Sequence, residues 1–182
     1  MTGSDHDANV LGALALSITD RATAAIAAAA GQSASAAASL SALHHFLDRP
    51  TIDQLRKVLG LTPSGAVRLV DRLSDMGLVT REPGEDGRSR AVALTPEGRE
   101  TAEQISTARA TALNDTLQVL SPTERETLRS LMDRLMAGIV HTKDGGAWIC
   151  RLCDVDACGR SAGRCPAANA AAAMYGTPRQ PG

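Results

Sequence analysis

The spacing of apolar residues changes twice between residues 51 and 99. Apolar residues first recur every three or four positions in two short runs, which predicts two amphipathic helices. Two shorter runs, LVTREP and AVALT, then follow, in which β-branched and apolar residues predominate, and this predicts a β-hairpin. The order of helix, turn, helix and hairpin predicts a winged helix-turn-helix.

The ends of the two helices carry their own sequence signals. Thr51 lies three residues before Gln54, the spacing of a capping box, and Gly60 can end this first helix in the left-handed conformation. Thr62 is expected to cap the second helix, and Gly77 is expected to close it. The buried face of the second helix is expected to contain five apolar residues: Ala66, Leu69, Val70, Leu73 and Met76.

The opposite face of the second helix holds Ser64, Arg68 and Arg72, which we call the recognition stripe. Residues spaced by four stack along one side of a helix. An arginine in the major groove can bind guanine through two hydrogen bonds, worth about 1–3 kcal/mol of discrimination, and a serine near a helix N-terminus can reach a phosphate. The stripe therefore predicts DNA contact, with an ordinary solvated helix face as the alternative.

Residues 84–88, GEDGR, separate the two strands and have the composition of a hairpin turn. Arg88 and Arg90, the wing arginines, lie on or beside its tip. An arginine there can enter a narrow minor groove, where the negative potential of DNA is strongest. An ordinary charged hairpin is the alternative, because Gly and Asp occur in almost any tight turn.

The whole stretch from Leu59 to Arg99 resembles the core of the MarR transcriptional regulators. The resemblance rests on four features: the recognition-helix pattern around Val67 to Leu73, the GLV entry to the wing, the Asp86-Gly-Arg88 tip and the Leu94-Thr-Pro-Glu-Gly98 exit. It implies that the recognition stripe contacts the major groove and that the wing arginines also contact DNA. It further implies a dimer built from the terminal helices.

The flanking segments supply patterns for such helices. An alanine-rich helix is expected from about Val10 to Ala30, a second to about Asp48, and a third from Thr95-Pro96 to about Leu120. A capping-box pattern at Ser121–Glu124 then precedes an apolar face: Leu128, Leu131, Met132, Leu135, Met136 and Ile139. A symmetric dimer fits two half-sites roughly 34–36 Å apart, so a pseudo-palindromic operator is expected. A monomeric core of six helices is the alternative.

Chain length, apolar content and charge limit the kinds of protein that this sequence can encode. The chain has 182 residues, 43% of them apolar, which suits one winged-helix domain with helical arms. The expected fold class is mainly α with a small β-hairpin wing. The net charge is −1, yet residues 49–99 hold nine Lys or Arg against seven Asp or Glu, so DNA affinity must depend on where the arginines lie.

Motifs of other functional classes are missing from the sequence. It holds no phosphate loop, nucleophile elbow or His-Glu-x-x-His pattern, so no enzymatic activity is expected. The first residues, MTGSDHD, are acidic, which predicts no signal peptide. The alanine-rich stretch at 22–30 is shorter than the ~18 apolar residues that a membrane span needs, so no membrane association and a cytoplasmic location are expected.

Four cysteines cluster near the C-terminus: Cys150, Cys153, Cys158 and Cys165. Because cytosolic proteins seldom keep disulfides, this Cys-x2-Cys-x4-Cys-x6-Cys run favours a thiolate metal site. Zn²⁺ held by four thiolates is favoured over an iron–sulfur cluster, which the Cys165-Pro166 ending suggests. Reversible disulfides or free thiols are the alternative. A redox cluster would allow another function, that of an electron-transfer protein using the winged helix only as a scaffold.

His44 and His45 lie near the position where MarR-like proteins form an effector crevice, so they are candidate ligand residues or ordinary helix residues.

The expected organisation has five parts: an N-terminal dimerisation helix (1–32), a winged helix-turn-helix (33–99), C-terminal dimerisation helices (100–143), a cysteine-rich metal-binding tail (144–168) and a flexible C-terminus (169–182). The expected function is a homodimeric repressor of transcription that binds double-stranded DNA. A small-molecule effector, or the metal or redox state of the tail, would modulate it.

Overall fold

A computed structural model of the chain describes residues 3–84, 89–141 and 148–175, and in these ranges it contains seven helices and one hairpin. In chain order the elements are α1 (Gly3–Ala30), α2 (Ala34–His45), α3 (Ile52–Leu59), α4 (Pro63–Asp75), β1 (Val79–Pro83), β2 (Arg90–Leu94), α5 (Pro96–Leu117), α6 (Pro122–His141) and α7 (Pro166–Tyr175). The expected fold class, mainly α with a small β-hairpin wing, is confirmed.

The helix-turn-helix begins and ends where its caps predict. The Thr51 hydroxyl accepts a hydrogen bond from the Gln54 amide at 3.3 Å, and the Gln54 side chain accepts one from the Thr51 amide at 2.8 Å. This capping box satisfies two backbone donors that the helix itself leaves open. Gly60 ends α3 with φ +66°, and the Thr62 hydroxyl caps α4. The short turn between α3 and α4 is therefore specified locally.

One hydrophobic core joins α2, α3, α4, the hairpin and α5. Its buried side chains include Ala36, Leu40, Leu55, Leu69, Val70, Leu73, Val79, Val92, Ala102 and Ile105. Four of the five residues expected on the buried face of α4 are buried, but the expectation for Met76 is wrong because its side chain is 45% exposed. The α-helix ends at Asp75, so Met76 lies at the cap, where the helical periodicity no longer directs a side chain to the core.

The wing is clamped to the C-terminal end of α4. β1 and β2 pair antiparallel, with Val79 opposite Leu94 and Pro83 opposite Arg90. The Thr95 hydroxyl donates to the Gly77 carbonyl at 2.7 Å, and the Thr95 amide donates to the Leu78 carbonyl at 3.1 Å. Gly98 lies so close that a Cβ there would approach the Leu78 carbonyl oxygen to 1.9 Å. The hairpin therefore has a fixed position relative to α4.

The first helix is longer than its apolar pattern predicts, since it begins at Gly3 rather than near Val10. It packs along α5 and contributes Ile26 to the core. Its stretch Asp5–Ala30 has a mean hydropathy of 1.4 and is long and apolar enough to cross a membrane by length and composition alone. Packed helices and signal sequences satisfy the same criteria, so this is weak evidence for a span. The expectation of no membrane association stays a prediction.

The predicted capping box of α6 is present. The Ser121 hydroxyl accepts from the Glu124 amide at 3.4 Å, and the Glu124 carboxylate accepts from the Ser121 amide at 2.8 Å. The apolar face of this helix is largely exposed in the single chain, as is part of α1. The residues about half exposed are Leu131, Met132, Leu135 and Ile139 on α6 and Val10, Leu11 and Leu14 on α1.

The segment after the cysteines is helical, and the expected boundary at residue 168 falls inside α7. Residues 169–175, expected to be flexible, are part of that helix, which packs against α6. A second, small hydrophobic cluster joins the two helices and contains Val140, Cys165, Ala167 and Ala170. The α7 sequence, PAANAAAAMY, is nearly uniform in alanine and therefore lacks the periodicity that would predict an amphipathic helix.

Candidate functional site

The recognition stripe lies on the exposed side of α4. Ser64, Arg68 and Arg72 are all exposed, while Leu69 and Leu73 on the other side are buried. Within the residues that the structure describes, neither Arg68 nor Arg72 forms an ion pair. Both guanidinium groups are therefore available to a partner, and Ser64 lies in the first turn of the same helix.

Of the two wing arginines, the structure describes only Arg90. It is exposed at the first position of β2, opposite Pro83. Arg88 and the neighbouring tip residues, 85–88, lie outside the described residues. Arg90 and the recognition stripe belong to the lobe that α2, α3, α4 and the hairpin form. The structure therefore places an exposed arginine of β2 in the same lobe as the exposed arginines of α4.

Two contacts that the sequence pattern does not reveal also hold the wing. Arg81 on β1 donates a hydrogen bond to Asp71 on α4. Arg49, before α3, forms an ion pair with Glu82 on β1 at 2.7 Å. Both pairs join residues ten or more positions apart, and no local spacing rule predicts such contacts. Each pair is partly exposed, so it contributes to orientation more than to stability.

The two candidate ligand histidines do not share one cavity. His44 lines a cavity of about 180 Å³ between α2 and β2, whereas His45 does not line it. His45 Nε2 lies 2.8 Å from Ser106 Oγ on α5, and its Nδ1 lies 3.9 Å from a carboxylate oxygen of Asp154. Burial lowers the pKa of His45, with His44 adding to the effect, so its ring is mostly neutral near pH 7 and its contact with Asp154 is not a full ion pair.

Electrostatic interactions link all four cysteines, since Cys150 interacts with both Cys153 and Cys165, and Cys158 interacts with both Cys165 and Cys153. A side-chain hydrogen bond joins Cys150 to Cys153, and another joins Cys158 to Cys165. In each pair one residue is buried, namely Cys150 or Cys165, and the other is only partly buried. The residues described by the structure contain no group of three or more His, Cys, Asp or Glu side chains arranged to hold a metal ion. This arrangement does not support the expected metal site, which stays a prediction.

The pairing also separates the acidities of the thiols. The hydrogen bond with Cys150 lowers the pKa of Cys153 to about 6, with burial opposing the shift and Arg109 and Arg151 assisting it. The same hydrogen bond and burial raise the pKa of Cys150. Burial, and after it the hydrogen bond with Cys165, raises the pKa of Cys158 to about 11. The pKa is therefore lowered at Cys153 and raised at Cys150.

The cysteine segment packs against the rest of the protein. Leu152 packs onto the main hydrophobic core, and Asp154 is the residue that lies near His45. A cavity of about 230 Å³ lies between the segment and α5, lined by Ser106, Arg109, Ala110, Leu152, Cys153, Asp154, Ala157 and Cys158. The tail is thus attached to the elements that precede and follow the helix-turn-helix. Sequence analysis missed this contact, because it joins residues far apart in the chain and no local spacing rule predicts it.

Comparison with known proteins supports the winged-helix fold of the lobe described above. Residues 37–89 match the model of the MarR family. A MarR-family transcriptional regulator from Silicibacter pomeroyi is 28% identical, with a TM-score of 0.54 over 69% of this chain and 87% of that structure. The fold is that of the MarR winged-helix proteins. The family match ends at residue 89, so the cysteine segment lies outside it.

Two further relatives show how far the MarR likeness extends. An uncharacterized HTH-type transcriptional regulator from Mycobacterium bovis is 36% identical over 76 residues, which are 41% of this chain and 53% of that protein. The match thus spans about half the length of that relative. CouR from Rhodococcus jostii, whose structure contains p-coumaroyl-CoA, is 21% identical, with a TM-score of 0.56 over 72% of this chain and 92% of CouR. At 21% identity, the similarity to CouR shows a shared fold and nothing beyond it.

Proposed function

We propose that this protein is a DNA-binding transcriptional regulator of the MarR type. The observation that carries the proposal is the exposed recognition stripe on α4, in a lobe whose wing is clamped to that same helix. A recognition helix must present its cationic side chains in a fixed orientation to read base edges in the major groove. The match of residues 37–89 to the MarR family supports the same function.

The regulator acts as a homodimer on a pseudo-palindromic operator and represses transcription by occluding the promoter. The exposed apolar residues of α1 and α6 support dimerisation, because large apolar faces rarely stay in water in a monomeric protein. A two-fold axis through these helices presents two recognition helices to successive major-groove segments of one DNA face.

A small-molecule effector is part of this proposal. An open groove with a volume of about 470 Å³ lies between α1 and α5, and small-molecule sites commonly have volumes of about 300–1,000 Å³. The cavity that His44 lines, about 180 Å³, is smaller than that range. The groove between α1 and α5 is therefore the better candidate, and a ligand there would act on the spacing of the two recognition helices.

Selection of binding sites from random DNA, followed by titration of the selected site, tests the function. Arg68→Ala should weaken binding by about 1–3 kcal/mol, or roughly 5- to 150-fold in Kd, since a bidentate contact to guanine is lost. Arg134→Ala removes an exposed arginine from α6, outside the lobe, and is the matched control. Failure to select any sequence contradicts DNA reading, whereas unchanged affinity in both Arg68→Ala and Arg72→Ala contradicts the recognition stripe.

A further inference from the structure

We propose that Arg49 is a positioning residue for DNA binding, which holds the wing on the face opposite α4 and neutralises the carboxylate of Glu82. Arg49 lies in the short segment between α2 and α3, outside the recognition stripe and the wing arginines. This role rests on the proposed function, because the position of the wing matters only if the wing meets DNA. The effect of Arg49 on the wing itself can be measured without DNA.

The backbone of Arg49 is held in an unusual conformation. Its φ is +43°, in the left-handed region, and it is the one residue other than glycine with a positive φ in the ranges that the structure describes. A side chain costs free energy in that region, and a residue before proline, here Pro50, prefers extended backbone. Such a conformation persists only where surrounding contacts fix it, and it is a reason to look for a function.

The guanidinium of Arg49 reaches the end of β1. Its Nη2 forms an ion pair with Glu82 Oε2 at 2.7 Å and donates a hydrogen bond to the Pro83 carbonyl at 3.4 Å. Pro83 is paired with Arg90 in the hairpin. Arg49 therefore contacts β1 next to the position of a wing arginine.

The residues that follow Arg49 contact the other strand. The Pro50 carbonyl accepts a hydrogen bond from the Val92 amide at 2.9 Å, and Thr51 forms an isolated β-bridge with Ala91. The side chain of Arg49 and the backbone after it thus join the same short segment to both strands of the wing.

Ion pairs hold the wing on both of its faces. Successive side chains of a strand point to opposite faces, so Arg81 and Glu82 diverge. Arg81 contacts Asp71 on α4, whereas Glu82 contacts Arg49 on the other side. Without Arg49, the contacts with α4 hold one face only, and the wing can tilt about them.

The contact with Arg49 also cancels a charge on the wing. The Glu82 side chain is 40% exposed, and Glu82 precedes Pro83, the residue opposite Arg90. An unpaired carboxylate at this position would repel DNA phosphates and would compete with them for the Arg90 guanidinium. Bound to Arg49, Glu82 does neither, and Arg90 stays available to DNA.

Two substitutions with opposite changes in charge test this role. Arg49→Gln removes a positive charge and Glu82→Gln removes a negative one, yet both break the same contact. If Arg49 positions the wing, each variant should bind the selected operator about 3- to 10-fold more weakly, and the double variant should bind no more weakly than either single one. Charge alone would make Glu82→Gln bind DNA more tightly. Unchanged or tighter binding by Glu82→Gln overturns the proposal.

Hydrogen exchange of the free protein tests the contact without DNA. In Arg49→Gln, exchange should rise at the Val92 amide, which donates to Pro50, and at the Gly84 amide, which donates to the Ser89 carbonyl at 2.9 Å. Exchange along α4 should stay as it is in the wild-type protein. Wild-type exchange at both wing amides of the variant overturns the proposal.

Two controls separate positioning from folding and from surface charge. Arg49→Gly suits the left-handed backbone, so this variant should keep its thermal stability and still lose operator affinity as Arg49→Gln does. Wild-type affinity of Arg49→Gly overturns the proposal. Glu126→Gln combined with Arg129→Gln breaks an exposed ion pair on α6, outside the lobe, and should leave operator affinity unchanged.

Failure of the proposed function gives a different pattern of results. If the wild-type protein selects no operator, DNA reading is contradicted, while exchange at Val92 still decides whether Arg49 holds the wing. If the wild-type protein binds an operator and the Arg49 variants bind it equally well, the proposed function stands and the positioning role is overturned.

Discussion

The winged-helix lobe and the cysteine tail are built from different kinds of contact. The lobe has capped helices and a core to which several elements contribute, so each boundary is specified by neighbouring residues. The tail has one short helix, four thiols and a small cluster in which alanine and cysteine replace the larger apolar residues. Because apolar burial provides most folding free energy, the tail depends on its attachment to the rest of the protein. Substitutions in the tail are therefore expected to leave the lobe folded. Substitutions in the tail or in the helices that it contacts should destabilise the tail.

The strongest test of the lobe is Gly98→Ala. The added Cβ would lie 1.9 Å from the Leu78 carbonyl oxygen, which is backbone and cannot rotate away. We expect the free energy of unfolding to fall by about 3 kcal/mol, because the first turn of α5 must move away from Leu78, next to β1, to relieve the overlap. Gly138→Ala is the matched control, since a Cβ there meets no atom within 4 Å and should stabilise α6 by about 1 kcal/mol. Equal stability of the two variants in urea titration would contradict the clamp.

A pair of leucine substitutions compares the two regions directly. Leu40 is fully buried in the lobe, and Leu40→Ala should lower the free energy of unfolding by about 3 kcal/mol. Leu152 is only partly buried, so Leu152→Ala should cost about 1 kcal/mol and should mainly release the tail. Hydrogen exchange should therefore rise in the tail of Leu152→Ala while the lobe stays protected. Loss of protection throughout the lobe of this variant would show that the two regions fold as one unit.

The helix caps test whether local signals specify the lobe. Thr51→Ala removes the hydroxyl that caps α3 and should lower the free energy of unfolding by about 1 kcal/mol, as should Thr62→Ala at α4. Ser and Asn at the same positions should restore most of the loss. Thermal unfolding of all six variants measures this. A cost close to zero at both caps would mean that core packing alone determines where the helices begin.

The sequence predicts most of the lobe because its signals are local. Caps such as Thr51 and Thr62 need only the next three residues, and the buried face of α4 needs only a period of 3.6. It does not predict Arg81 with Asp71 or His45 with Asp154, because such contacts depend on how distant elements pack. The cysteine spacing predicted a four-thiolate metal site, which stays a prediction, because spacing along the chain does not determine how the four side chains are oriented towards one another. The exposed position of the recognition stripe could be predicted because α4 is capped and amphipathic. Arg88 lies outside the described residues.

The smallest expected effect belongs to the contact between Arg81 and Asp71. Their side chains are 33% and 48% exposed, so solvent screens the interaction and a double-mutant cycle of Asp71→Asn with Arg81→Gln should give a coupling of about 0.5 kcal/mol. Asp75 lies on the same helix and forms no ion pair within the part of the chain that the structure describes, so Asp75→Asn is the control for the change in helix charge. The contact matters for orientation, since it fixes the wing to the face of α4 that carries the recognition stripe. Operator affinity should therefore fall more than stability does. If affinity is unchanged in Asp71→Asn, Thr95 and Gly98 are enough to hold the wing in position.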